Sequence, residues 1–294
     1  EKLELVQGYA GGIDATIDNE ATTKEIRYLA KAYKQTGNKN YLRAAVKGID
    51  YLLNAQYANG GWPQFFPDFS SYRSQITYND NAMVNVLNVL YDAVYKKNDL
   101  DIIDDVLANR CVDAVVRGVQ CILKTQLKQN ARLSDGQGKL TAWCAQYNAK
   151  TLQPEMARRF ELASLSGSES VGIVRFLMRI EKPSQAVIES INSAIEWFEK
   201  VKISGYKYVD ITAPEERSGR DRVLQPDSAG VVWARFYDME TNEPFFTGRD
   251  SQRHKSITEV ENERRIGYAW YGTWPAKLIA KEYPGWKKKW DIKN

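Results

Sequence analysis

The segment KGIDYLLNAQYANGGW, residues 47–62, joins a helical pattern to a glycine-rich turn and a tryptophan. Its apolar residues recur at the spacing of one helix face. The pattern returns in RGVQCILKTQ, residues 117–126, where Gln126 matches Gln56. A sequence that repeats a helical unit predicts a fold built from stacked copies of that unit.

Each copy follows an earlier stretch with helical spacing, so the repeating unit is a pair of helices. The earlier stretches are TTKEIRYLAKAY (22–33), NAMVNVLNVLYDAV (81–94) and SVGIVRFLMRI (170–180), and a looser third copy of the later stretch is SAIEWFEKVKISGYK (193–207). Helical hairpins bury one face against their neighbours, and three pairs can close into a ring. The sequence therefore predicts a mainly α fold, an (α/α)₃ toroid of helical hairpins.

The helical pattern fades from about residue 205. FYDMETNEPFFTGRD (236–250) predicts a hairpin-like excursion with METN at its turn, and ITEVENERR (257–265) predicts a charged helix. The C-terminal part is therefore expected to be rich in loops and short strands.

The turn after the first repeat allows two interpretations of its tryptophan. Gln56 can hydrogen-bond the backbone at the helix end, and Gly60 permits the sharp turn that follows. The spacing resembles the QW motif of terpene cyclases, which are also α/α barrels. Trp62 either packs over the helix end or offers an aromatic platform to a sugar.

Polar residues with acidic members precede the first helix of each pair. They are IDNEATTKE (17–25), TYNDNAMV (77–84) and SLSGSESVG (164–172). Asp18-Asn19 and Asp80-Asn81 occupy equivalent places, and in a toroid of hairpins all three starts lie on one rim. One interpretation is helix capping. The other is a site for a cation or a basic group, because clustered carboxylates otherwise repel each other.

The composition narrows the possible chemistry. The single histidine, His254, lies in a charged stretch, so we interpret it as a surface residue and expect no Ser-His-Asp triad. Three cysteines without a CxxC pair argue against zinc and are interpreted as buried thiols. Catalysis is expected from carboxylates, Arg, Lys or Tyr, and any metal from oxygen ligands, which favours calcium or magnesium.

The net charge and the hydropathy pattern do not identify a binding partner. The net charge of +4 fits an anionic ligand without requiring one. No apolar run is long enough to predict a membrane span, and no signal segment is recognised at the start. We therefore expect either a cytoplasmic protein or the mature form of a secreted one.

The C-terminal third is rich in arginine, and most of these residues are expected to pair with nearby acids on the surface. The arginines are Arg217, Arg220, Arg222, Arg235, Arg249, Arg253, Arg264 and Arg265. Arg235 differs, because VVWARFYD surrounds it with apolar and aromatic residues. An arginine in that setting needs a carboxylate partner, inside the protein or on a ligand.

Several long segments, in order, resemble the catalytic domain of family 10 polysaccharide lyases, which are pectate lyases with an (α/α)₃ toroid. The segments are NGGWPQFFP, ITYNDNAMVNVL, LTAWCAQYNAKTLQPEMARRFELASLSGSESVGIVRFLM, VVWARFYDMETNEPFFTGRD and ERRIGYAWYGTWP. The resemblance implies one catalytic domain over residues 1–294 and calcium-dependent cleavage of polygalacturonate by anti β-elimination. It also implies a secreted monomer that binds neither nucleic acid nor membranes.

The resemblance implies a role for each residue that matches the family's motifs. Asp18 and Asp80 would be the acids at the calcium-bridged subsite, and Arg249 in TGRD would be the base. The residues that would contact substrate are Arg235, Arg158, Arg159, Asn19 and Trp62, with the division of labour between Arg158 and Arg159 open. Glu20 departs from the pattern, because a small residue is expected there.

Elementary chemistry agrees with this assignment. The C5 proton of a uronate becomes acidic only when the charge on the adjacent carboxylate is offset, which a calcium ion and several arginines can do.

Four other functions can be compared with this one. A terpene-cyclase-like enzyme would need an acidic cluster on a helix, and the nearest match is IDDV (103–106) in a charged linker. A glycoside hydrolase could use Asp18, Asp80 or Glu169 as acid and base and would form no unsaturated product. An inactive pectin-binding module would keep the groove without the chemistry. No recognised motif supports a nucleic-acid interpretation of the arginines.

Overall fold

The computed structural model describes residues 15–68, 70–129 and 138–292. These residues form two compact units. The first unit comprises Glu1–Lys124 and Gln146–Gln153, and the second comprises Thr125–Ala145 and Pro154–Asn294, as far as these residues are described. The single domain over 1–294 stays a prediction.

The described helices follow the predicted pairs. The helices are α1 (Thr23–Thr36), α2 (Lys39–Asn54), α3 (Ala82–Val94), α4 (Asp105–Thr125), α5 (Glu169–Met178), α6 (Gln185–Lys200), α7 (Asn262–Gly267) and α8 (Tyr283–Lys289), and a π-helical turn covers Leu278–Glu282. Helix α1 packs on α2 in the first unit, and α5 packs on α6 in the second. The first helix of every pair begins within one residue of the predicted start, because local apolar spacing encodes these boundaries.

A two-residue strand precedes the first helix of every pair and forms an antiparallel partnership with a later strand. The partnerships are β1 (Ala15–Thr16) with β2 (Phe65–Phe66), β3 (Ile76–Thr77) with β6 (Gln146–Tyr147), and β7 (Leu165–Ser166) with β10 (Phe236–Tyr237). Each later strand begins shortly after a buried tryptophan, namely Trp62, Trp143 and Trp233. The internal repeat therefore includes the loop after each second helix, where the sequence pattern alone identified only Trp62.

The C-terminal part contains two strands longer than the sequence predicts. Strands β8 (Ile203–Thr212) and β9 (Arg220–Ala234) form an antiparallel hairpin, and β13 (Tyr271–Gly272) pairs with the other edge of β9. The remaining described strands are short pairs, β4 (Lys128–Gln129) with β5 (Lys139–Leu140) and β11 (Phe246–Thr247) with β12 (Arg253–His254). Charged residues on the exposed faces of β8 and β9 interrupt the alternation of apolar residues from which a strand is predicted.

Two smaller predictions in this part have different outcomes. The turn at METN is confirmed, since the Asn242 N–H donates to the Asp238 carbonyl over 3.1 Å. The single charged helix over 257–265 is wrong. A 3₁₀ turn over Ile257–Glu259 ends at Val260, whose backbone is extended, and α7 begins only at Asn262.

Two glutamines connect the second helices of successive pairs. Gln56 Nε2 donates to the carbonyls of Gly60 at 3.1 Å and Ala114 at 2.9 Å. Gln126 Nε2 donates to the carbonyls of Thr141 and Ser190, both at 2.9 Å. Each side-chain amide thus donates to one carbonyl in the loop region after its own helix and to one in a later helix, Ala114 in α4 and Ser190 in α6.

Trp62 and Gly60 complete the first of these connections. The Trp62 indole N–H donates to the Leu52 carbonyl over 2.7 Å, and its side chain is 0% exposed. Gly60 has φ 94, and a Cβ atom there would collide with the Arg117 carbonyl. Position 60 therefore accepts only glycine. Trp62 packs over the helix end, which is the structural interpretation of this residue.

The cysteines behave as expected. Cys111, Cys121 and Cys144 are buried and form no disulfide. Burial raises the pKa of Cys111 and of Cys121 to about 11. In residues 15–68, 70–129 and 138–292, no helix is both long enough and apolar enough to cross a bilayer.

One buried ion pair stabilises the first unit, and its loss should cost measurable stability. Arg27 Nη2 lies 2.7 Å from Asp92 Oδ2, whose side chain is 1% exposed. Arg27→Met should lower the free energy of unfolding by about 3 kcal/mol, because it leaves a buried carboxylate without its cation.

Chemical denaturation of a surface-pair variant provides the control. Arg110→Met removes a pair with Asp50 whose partners are both solvent-exposed, and it should cost about 0–1 kcal/mol. Equal losses for the two variants would contradict a special role for the buried pair.

Candidate functional site

Two acidic 3₁₀ turns pack against each other in the first unit. Asp18–Glu20 lies ahead of α1, and Asn79–Asn81 lies directly ahead of α3. The residue at the centre of each turn has left-handed backbone angles, with φ 47 and ψ 40 at Asn19 and φ 49 and ψ 31 at Asp80. The backbone therefore pairs Asn19 with Asp80, and Asp18 with Asn79. The equivalence of Asp18 with Asp80 expected from the sequence is wrong by one residue.

The exchange of Asp and Asn between the turns preserves one interaction. Asn19 Nδ2 donates to Asp18 Oδ2 at 3.1 Å, and Asn79 Nδ2 donates to Asp80 Oδ2 at 2.8 Å. Each turn thus holds an Asp carboxylate that accepts a hydrogen bond from a neighbouring Asn amide. An amide oxygen is an acceptor of the type that hard cations also bind.

Helix capping does not explain these acids. The N-cap residues of α1 and α3 are Thr22 and Asn81, and the side chain of neither residue makes a capping hydrogen bond. Asp18 is half-buried and Asp80 is exposed. Neither Asp18 nor Asp80 is therefore the N-cap residue of the helix that follows it.

The donor set of the turns fits a hard cation only in part. Carboxylate and amide oxygens are the ligands that calcium prefers. The described part of the chain has no group of three or more His, Cys, Asp or Glu side chains arranged to hold a metal ion. Two carboxylates suit an ion that completes its coordination with other oxygens. Glu20 does not join them as a bare charge, because its carboxylate lies 2.7 Å from Lys24 Nζ.

Three arginines of the second unit surround one phenylalanine, and we name them the Phe160 arginine cluster. The Cζ atoms of Arg158, Arg249 and Arg264 lie 5.2, 5.0 and 4.4 Å from the centroid of the Phe160 ring. Because all three Cζ atoms lie against the same ring, they are also close to one another. Like charges this close repel unless anions accompany them.

Two members of the cluster have carboxylate partners. Arg158 contacts both carboxylate oxygens of Glu161, with Nε 2.8 Å from Oε2. Arg249 contacts both oxygens of Glu263, with Nε 2.6 Å from Oε1 and Nη2 3.1 Å from Oε2. The Glu263 contact raises the pKa of Arg249 above its ordinary value.

The alternative partner considered for Arg249 is not used. Asp250 Oδ2 lies 2.9 Å from His254 Nε2 instead. The Arg249 backbone N–H donates to the carboxylate of Glu261, with both oxygens at 3.1 Å. Arg249 is therefore anchored by acids from α7 and the segment before it, and not by its sequence neighbour.

The third member, Arg264, lacks such a partner. Its side chain is only 7% exposed, and its Nε and Nη2 atoms are buried without a hydrogen bond in the described structure. Its Cζ also lies 4.8 Å from the Tyr268 ring centroid and 5.4 Å from that of Trp270. Burial, assisted by the nearby charges of Arg249 and Arg158, lowers the pKa of Arg264.

Arg235 has the internal carboxylate that its apolar setting required. Its Nη2 forms an ion pair with the buried Glu169, which also accepts a hydrogen bond from the Ser166 hydroxyl. The Arg235 Cζ lies 4.8 Å from the Tyr268 ring centroid. The same ring contacts Arg264 of the cluster. Glu169 is thus engaged in an ion pair and is not a free acid–base group.

The remaining predicted site residues are Arg159, Asn19 and Trp62. Arg159 is exposed and its Nε donates to the Ser251 hydroxyl at 3.1 Å. Asn19 is exposed in the first turn, whereas Trp62 offers no face to a sugar because it is fully buried. The assignment of Trp62 to substrate binding is therefore corrected to a structural role.

The sequence missed Phe160, Glu263 and Arg264. The sequence predicts that Arg264 pairs with an acid on the surface. The pairing with acids holds only for its neighbour Arg265, which contacts Asp221 and Glu216 at 2.7 Å. The available signal was the ERR triplet beside the aromatic run GYAW, which alternates charge with large rings.

Comparisons with known proteins agree on one family. The family model described as pectic acid lyase matches residues 2–279. A solved structure, the family 10 polysaccharide lyase from Cellvibrio cellulosa, is 37% identical with a TM-score of 0.82, over 93% of this chain and 82% of that one. No curated protein matches.

A second solved structure carries a ligand. It is an aspartate-to-alanine mutant of the Cellvibrio cellulosa family 10 polysaccharide lyase in complex with trigalaturonic acid, 36% identical with a TM-score of 0.81, over 94% of this chain and 82% of that one. These matches confirm the predicted fold class, a helical-toroid polysaccharide lyase fold. They also confirm the resemblance from which the site residues were assigned.

Proposed function

Because this chain belongs to the pectic acid lyase family and is a pectate lyase, we propose that it cleaves polygalacturonate by calcium-assisted anti β-elimination with an arginine base. The observation that carries the arginine part is the Phe160 arginine cluster. The trigalaturonic acid bound to the related lyase supports a galacturonate oligomer as the substrate class.

The chemistry requires a base and a positive environment. The base removes the proton at C5, the electron pair of that bond forms the C4–C5 double bond, and the C4–O bond breaks. The leaving oxygen then takes up a proton. Negative charge spreads onto the uronate carboxylate as the proton leaves, so fixed guanidinium groups nearby lower the barrier.

We assign the base to Arg249. Its Glu263 contact supports a fixed orientation, because a planar guanidinium held at two points cannot rotate. The same contact raises the pKa of Arg249 and makes its neutral form scarcer in the free enzyme, which counts against the assignment. Arg158 is held by Glu161 in the same way and contacts the same Phe160 ring. It is therefore the residue with which Arg249 must be compared.

Asp18 and Asp80 are the residues that would hold calcium, with the Asn19 and Asn79 amide oxygens beside them. When bound, a calcium ion supplies positive charge that offsets a uronate carboxylate. Arg235, Arg158 and Arg159 are proposed to contact uronate carboxylates, and Asn19 the sugar. Secretion is proposed because a polymeric substrate cannot cross a bilayer, and a monomer remains the expected state.

Incubation with polygalacturonate tests the proposal directly. We expect the ultraviolet absorbance of the unsaturated uronyl end to rise in calcium and to stay flat in excess EDTA after careful metal removal. Circular dichroism should be the same in both conditions, because the helix pairs are held by packing.

The other outcomes are distinct. New reducing ends without ultraviolet absorbance would indicate a glycoside hydrolase. Binding without either signal would indicate an inactive pectin-binding module. Full activity in EDTA would remove calcium from the mechanism and leave the elimination intact.

A further inference from the structure

Arg264 differs from the other two members of the Phe160 arginine cluster in what surrounds its charge. Arg158 and Arg249 each contact two oxygens of one carboxylate. In the described structure, Arg264 has two buried nitrogen atoms without a hydrogen bond. Its guanidinium contacts aromatic rings and no carboxylate, and its Cζ lies 4.4 Å from the centroid of the Phe160 ring.

Such an arrangement is unfavourable in the absence of an anion. Burial of a charge without a hydrogen-bonded partner costs free energy. Contacts with aromatic ring faces recover only part of this cost. The positive charges of Arg158 and Arg249 lie on the same ring and add repulsion. An anion at the cluster would offset the repulsion among the three positive charges, which makes its binding more favourable.

The charged groups near Arg264 do not already neutralise it. Glu161 and Glu263 interact electrostatically with Arg264, but each uses both carboxylate oxygens on another arginine. Glu261 accepts the backbone N–H of Arg249. Tyr268 is the titratable group that packs on the guanidinium from the segment after α7.

We propose that Arg264 is a further positioning residue of the lyase: its uncompensated buried charge attracts a uronate carboxylate to Arg158 and Arg249 beside the Phe160 ring. The proposal rests on the proposed arginine chemistry of this cluster. Arg264 acts through the potential that it creates, because its buried nitrogen atoms are shielded from direct contact with a ligand.

Charge-neutral and charge-preserving variants separate this role from packing. Arg264→Met keeps an apolar chain among the rings and should lower kcat/KM for polygalacturonate about tenfold at low salt, mainly through KM. The loss should shrink as salt rises, because screening weakens the lost interaction. Arg264→Lys keeps the charge and should retain most of the wild-type value.

A binding measurement makes the test independent of turnover. Calorimetry with trigalacturonate in EDTA should show the same order of affinity, with Arg264→Met weakest and Arg264→Lys close to wild type. Should Arg264→Met fail to fold, Arg264→Gln serves as the second neutral variant.

Two results would overturn the proposal. One is wild-type affinity and salt dependence in a folded neutral variant. The other is a lysine variant as impaired as the neutral ones, which would assign Arg264 to packing. A wild-type enzyme that forms no unsaturated product would refute the proposed chemistry instead, while the binding series would still report on Arg264.

Discussion

Replacing Arg249 with alanine is expected to lower kcat by about 10²–10⁴-fold, the usual contribution of a general base. The side chain is exposed, so the variant should fold and melt like the wild type. The measurement is the initial rate of unsaturated product formation at saturating polygalacturonate and calcium. Arg249→Lys should fail in the same way, because a lysine cannot aim a nitrogen from a planar group held at two points by Glu263.

The chain offers a closely matched control in Arg222. Its guanidinium contacts both oxygens of Asp210, lies 5.5 Å from the Tyr208 ring centroid, and has a pKa raised by Asp210. Arg222→Ala therefore removes an arginine of the same kind from the β8–β9 hairpin. Its kcat should be unchanged, so a loss in Arg249→Ala alone reports chemistry and not the removal of a surface ion pair.

The comparison with Arg158 decides between the two candidate bases. Near-normal turnover in Arg249→Ala, together with a collapse in Arg158→Ala, would move the base to Arg158 and leave Arg249 as a uronate-binding residue. Similar losses in KM for both variants, with kcat retained, would assign both to binding.

The pH profile of the wild type gives the sign of the effect. A guanidinium acts as a base only in its neutral form, so the rate should climb as pH rises above neutral. The Glu263 contact raises the pKa of Arg249 and moves this climb to higher pH. Glu263→Gln weakens that contact, so the climb should begin at lower pH. A profile unaffected by this change would argue against Arg249 as the base.

Replacing Asp80 with alanine is expected to lower turnover about 100-fold and to raise the calcium concentration needed for half-maximal activity. Asp80 is exposed and is not the N-cap residue of α3, so the melting temperature should stay near the wild-type value. Titration of calcium against the initial rate, beside thermal melting, measures both effects.

Asn38→Ala is the matched control for Asp80. The Asn38 side chain accepts the Asn40 N–H at 2.9 Å and caps α2 in the same unit. Its loss should cost about 0.5–2 kcal/mol of stability and leave the calcium requirement unchanged. Asp80 would be structural if its variant behaved like Asn38→Ala, with lower stability and a normal rate.

Patterns in the sequence were enough to predict the helix pairs and the family. The starts of α1, α3 and α5 were predicted within one residue, because apolar spacing within a single helix encodes them. The connection made by Gln56 was also predictable, since a glutamine at a helix end before a glycine turn has an exposed carbonyl within reach. The need of Arg235 for a carboxylate followed from its apolar neighbours alone.

The tertiary structure alone decided how the polar residues pair. The one-residue offset between the two acidic turns depends on backbone angles that Asn and Asp adopt equally well. Trp62 could have faced solvent or the core, and only the carbonyl of Leu52 in the folded unit fixed its place. Arg249 took Glu263 in place of the adjacent Asp250, because α7 brings that carboxylate to it.

Arg264 shows the limit most clearly. The sequence presents it as one of many arginines, next to Arg265, which has two acidic partners. Its aromatic surroundings come from Phe160, distant along the chain, and from Tyr268 and Trp270. Whether a charge is paired or isolated depends on which distant residues fold against it. Local pattern therefore predicts the helix pairs, and only tertiary packing decides whether a charge has a partner.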